Sequence, residues 1–105
     1  MFDTTEAEVL AVYEQLKDRY DLVLTTFCAQ YEGAKMDGPL IIGNAHGQIM
    51  ELYEDGVMLV LDIMDEQQTK GTHWHPYDVQ SAVEDITEFM DGRSDYHLSP
   101  FPNSK

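Results

Sequence analysis

The run His73-Trp74-His75-Pro76-Tyr77-Asp78 gathers the side chains best suited to chemistry. In extended chain, residues two apart point to the same side. His73 and His75 can then share one divalent ion, with Asp78 reaching in from the start of a following helix. His46, set between glycines in Gly43-Asn44-Ala45-His46-Gly47, supplies a further ligand where the fold brings it near. His97 is a remoter candidate. Zinc suits imidazole and carboxylate donors, and two histidines with one aspartate leave an open coordination position. The plainer reading needs no metal. Either His75 or Asp78 caps the helix, Trp74 and Tyr77 pack the loop on a sheet, and His73 faces solvent. No second matching pair occurs elsewhere, and no Glu stands at helical spacing from a His. The leading expectation is therefore no cofactor, with zinc or a similar divalent ion as the alternative.

Other routes to catalysis have less support. Cys28 lies in an apolar run and reads as a small buried hydrophobe rather than an activated thiolate. Ser81 has no surroundings resembling a nucleophile elbow. Gly43 and Gly47 lack the spacing and the following lysine of a phosphate-binding loop. The expectation is a binding or interaction module rather than an enzyme, the alternatives being a metal- or small-ligand-binding protein that uses His73, His75 and Asp78, and a dimeric structural or regulatory subunit without chemistry of its own.

Charge narrows the partners. Twenty Asp and Glu face six Lys and Arg, a formal charge of −14. Such a field repels phosphate backbones and anionic membranes, so direct nucleic-acid and membrane binding are disfavoured. It attracts basic proteins and cations. Glu84, Asp85, Glu88 and Asp91 repeat along the exposed side of an amphipathic segment and form the expected partner surface, with Glu51, Glu54 and Asp55 as possible additions. An inhibitor, an immunity protein or a nucleic-acid mimic has this character. A merely solvated helix face has it too. The lone cysteine gives no internal disulfide, and the N-terminus has neither a basic region nor a long apolar core. No apolar run approaches the ~20 residues of a membrane helix. A cytoplasmic location is expected.

These residues must be positioned by one domain, since 105 residues leave room for one modest core. Val9, Val12, Tyr13, Leu16 and Tyr20 recur at helical spacing and predict a helix from Thr4 to Tyr20. Asp3 with Glu6, and Thr5 with Glu8, fit a capping box. Asp21–Glu32 reads as a strand, and Gly33–Pro39 as a turn or loop. Residues 40–54 are either one bulged strand or two strands split by the Gly43–Gly47 segment, and the turn is favoured. Asp55-Gly56 signals a second hairpin, closed by Val57–Met64. Val57, Leu59, Leu61 and Ile63 share one face of that strand. Met58, Val60 and Met64 share the other, interrupted by Asp62. Both faces are largely apolar, so a central strand is expected, with the second face covered by a partner subunit in a homodimer formed through the sheet.

Asp65–His75 reads as a polar loop. A second helix spans Pro76 to Asp91, with Val79, Val83, Ile86 and Met90 as its apolar stripe, widened by Ala82 and Phe89, and Gly92 as its stop. The tail from about residue 93 to 105 is expected to be extended or partly disordered. The whole predicts an α+β domain: an antiparallel sheet of three to four strands flanked by an N-terminal and a C-terminal helix.

Overall fold

Among the described residues, six strands form one antiparallel meander, and two helices lie on one of its faces. The computed structural model describes residues 4–31, 34–54, 58–93 and 98–100, with side chains at 7–26, 38–54, 58–93 and 98–100. The elements are α1 (Thr4–Leu16), β1 (Val23–Tyr31), β2 (Ala34–Ala45), β3 (Gln48–Glu54), β4 (Leu59–Asp65), β5 (Lys70–Trp74), α2 (Val79–Met90) and β6 (Ser99–Pro100). The strands lie side by side in chain order, and α2 is inserted between β5 and β6. The α+β class is as expected. The strand count is not: the sheet has six strands rather than three to four.

Two stretches expected as loops are strands. Ala34–Pro39 belongs to β2, where Thr26 pairs with Pro39 and Tyr31 with Ala34. Glycine and proline were the loop signals there. Proline is tolerated because β3 joins β2 only from Ile41 onward, so Pro39 faces no ladder on that side. Lys70–Trp74 is β5, paired with β4 from Leu61–Trp74 to Met64–Gly71. Its polar composition hid it, but Asp65 folds the connection. Its carboxylate accepts from the Thr69 N–H at 2.8 Å, the Thr69 hydroxyl at 2.8 Å and the Lys70 N–H at 3.0 Å.

The segment 40–54 is two strands. The turn is His46-Gly47, with φ of 57° and 75°. Two successive left-handed residues make the tight hairpin turn that matches strand twist. Glycine takes this conformation freely, and histidine is among the residues that tolerate it.

The core lies between the helices and one sheet face. Val9, Val12 and Leu16 of α1 meet Ala82, Ile86 and Phe89 of α2 over Ile41, Met50, Leu52, Leu59, Leu61 and Ile63. The α1 stripe is thus as predicted, though the helix ends at Leu16 and continues as a turn to Tyr20. In α2 the centre of the stripe is Ala82, Ile86 and Phe89, while Val79, Val83 and Met90 flank it half-buried. The helix starts at Val79, after the cap at Asp78, and the left-handed Gly92 follows its end at φ 69°. At Gly43 the sheet and α2 come close. A Cβ there would stand 2.9 Å from Leu22 and 3.2 Å from the Met90 sulfur.

Among the described residues no helix covers the opposite sheet face, and none is long and apolar enough to cross a membrane. The Asp55-Gly56 turn, the caps at Asp3 and Glu6 and at Thr5, the Cys28 side chain, His97 and most of the tail lie outside what is described.

Candidate functional site

The uncovered face places chemistry-bearing side chains in register across three strands. Glu51 of β3 pairs with Asp62 of β4, and Asp62 pairs with His73 of β5. Strand alternation puts all three on the face away from the helices. One step along, Tyr53 pairs with Val60. His75 follows Trp74 just beyond β5, and its Nδ1 donates to the Leu59 carbonyl at 3.0 Å. A concavity of about 650 Å³ is lined by Tyr53, Val60, Asp62, Met64, Gly71, His73, His75, Ser99 and Pro100 among others, and Glu51 stands beside it, opposite Asp62. Val60 and Met64 are 5% and 8% exposed, so they form an apolar floor although no helix covers them.

Electrostatics single out the two acids. Asp62 is half-buried, and burial pushes its carboxyl above the ordinary aspartate range. A hydrogen bond from Tyr53 and the nearby His73 and His75 work against that rise without reversing it. Glu51 is also pushed up, first by burial and then by the charge of Asp62 beside it. Like charges directly opposite on neighbouring strands repel. The ion pairs Lys17–Glu14 and Arg93–Asp91 lie away from this face.

The four expected metal ligands are distributed over three places. His73 and His75 share the concavity, with ring centroids 6.1 Å apart and planes nearly perpendicular. Asp78 accepts the Ser81 N–H at 2.9 Å and caps α2, one of the two capping residues foreseen. His46 sits at the far hairpin, where its Nε2 donates to the Met90 carbonyl at 3.3 Å and its ring rests against Gly92. No group of three or more His, Cys, Asp or Glu with metal-holding geometry occurs among the described residues. Trp74 packs against the core as foreseen, whereas Tyr77 is 92% exposed.

The four acids of α2 do not act as one surface. Asp85 is half-buried and accepts the Trp74 indole N–H at 2.8 Å, and burial holds its carboxyl above the usual range. Asp91 accepts the Tyr20 hydroxyl at 2.7 Å and pairs with Arg93 at 3.4 Å. Glu84 accepts from Gln80 at 3.0 Å. Glu84 and Glu88 line a shallow groove of about 360 Å³ with Arg19 and Arg93, so the charge there is mixed.

Sequence reasoning missed Asp62 as a site residue, and with it Tyr53. The signal was present: a lone carboxylate interrupts the apolar face Met58-Val60-Met64. An acid held at such a position is costly unless it meets a partner. Comparison with protein-family models, with curated proteins and with solved structures gives no significant match.

Proposed function

We propose that this protein is a binding module whose uncovered sheet face receives a basic side chain, a lysine or arginine, from a partner protein. The observation that carries the reading is Asp62, half-buried in the lining of the concavity, with the half-buried Glu51 directly opposite it on β3 and pushed up by burial and by its charge. A cation placed between them relieves the repulsion, and its attraction offsets the cost of desolvating the carboxylates. The floor of Val60 and Met64 suits the aliphatic stem of the incoming side chain. Tyr53 offers a ring for a guanidinium to stack on. The charge of −14 steers a basic partner from a distance. In this reading α2 contributes Glu84 and Glu88 only to the general field, since Asp85 and Asp91 hold Trp74 and Tyr20.

The test compares two double variants with the same change in net charge. A tetra-arginine peptide is titrated into the protein at low salt. Glu51→Gln with Asp62→Asn is expected to weaken binding about tenfold, equivalent to ~1.4 kcal/mol. Glu84→Gln with Glu88→Gln is expected to weaken it about twofold at most, through the long-range field alone. Equal losses in the two variants would reject the concavity as the site.

A further inference from the structure

The geometry points to the outer edge of β1 as a surface for self-association, where a second copy of this chain adds its own β1 antiparallel and the two sheets become one. The inference is independent of the concavity on the sheet face. A sheet edge presents a row of backbone N–H and C=O groups that can pair with another strand. Folded proteins blunt such edges with charges, prolines, bulges or short strands. The far edge of this sheet is blunted: β6 is two residues long and one of them is Pro100. The near edge is not. β1 runs nine residues, Val23–Tyr31, as VLTTFCAQY, with no Lys, Arg, Asp, Glu, Pro or Gly. Among the described residues it pairs only with β2. Val23 and Leu24 at its start are 53% and 38% exposed, and Thr25 and Thr26 are also exposed.

Charge selects the occupant. Copies of a chain carrying −14 repel one another over most of their surface, and a quarter of the residues are charged. The β1 edge is an uninterrupted uncharged strip on which two copies meet with least repulsion. A strand paired antiparallel with its own copy obeys a two-fold axis, so the contact is self-complementary and closes at the dimer. A basic partner gains nothing from an uncharged strip, whereas a second copy avoids its own field there.

Sedimentation velocity across a concentration series tests this. The wild type is expected to shift from monomer to dimer, and the shift is expected to move to lower concentration as salt is raised, because salt screens the repulsion. Salt acts oppositely on any basic partner. Thr25→Glu with Thr26→Glu puts acidic side chains of both copies on both faces of the joined edge and is expected to weaken the dimer about tenfold or more. Circular dichroism and the melting temperature check that this variant is folded. Hydrogen exchange gives a second readout: β1 amides are protected in concentrated wild type and lose protection on dilution. A wild type monomeric at every concentration, or a dimer untouched in the folded double variant, overturns the inference.

Discussion

Asp78 and Asp62 carry the same carboxyl group and meet opposite surroundings. Asp78 has extended backbone, with φ of −158°, and spends its Oδ1 on the Ser81 N–H. That bond satisfies one of the amide donors left open at a helix start. Replacing Asp78 by Ala is expected to lower stability by about 1 kcal/mol in urea denaturation, while Ser, another good cap, recovers most of it. If alanine is as stable as aspartate, the carboxylate contributes nothing as a cap. Asp62 stands instead among apolar neighbours and beside another acid. The cap was legible because Asp78 precedes an apolar helical stripe by one residue. The role of Asp62 was not, because it depends on which strands lie beside β4. Only the pairing of β3, β4 and β5 aligns Glu51, Asp62 and His73.

At the scale of elements, periodicity revealed what is half-buried and concealed what is not. Both helices show one apolar stripe, and both were read near their true bounds. β5 has the sequence KGTHW, with Lys70, Thr72 and Trp74 on the helix side, too little apolar alternation to mark a strand. What makes it a strand is the Asp65 carboxylate, which gathers Thr69 and Lys70 and starts the return along β4. Those backbone donors hold the Asp65 carboxyl below the ordinary aspartate range, Lys70 first. Asp65→Ala removes the acceptor for all three hydrogen bonds. The expected result is faster hydrogen exchange in residues 69–74, with β2 and β3 changed little. Since β5 carries His73, the same variant is expected to broaden or shift its imidazole NMR signals. Unchanged protection in β5 would mean that pairing with β4 alone holds the strand.

The whole molecule adds a consequence of its acidity that no single element has. A carboxyl whose pKa is raised in the folded state binds its proton more tightly there, so protonation favours folding. Glu51, Asp62 and Asp85 are all of this kind, each raised chiefly by burial. Their contribution is fully present below the ordinary carboxyl range and is lost as pH rises through their raised values. Asp65 has the opposite sign: its contribution is present above the ordinary aspartate value and is lost as pH falls through its depressed one. Self-repulsion from the charge of −14 also weakens as acids are protonated. Three groups and the net charge therefore favour folding on mild acidification, and Asp65 yields only at lower pH. The melting temperature is expected to rise from about pH 7.5 to about pH 5, just above the range where ordinary carboxyls titrate. High salt removes the part due to net charge and leaves the part due to burial. Glu51→Gln with Asp62→Asn is expected to melt higher than wild type at neutral pH and to show a flatter pH profile, because the charges whose burial is costly are gone. A variant that gains stability as it loses ligand binding is the signature of a site kept at the expense of the fold. A wild-type melting temperature that falls between those two pH values, or a double variant less stable than wild type at pH 7.5, would show that the two acids are already satisfied within the chain and that no incoming cation is needed to explain them.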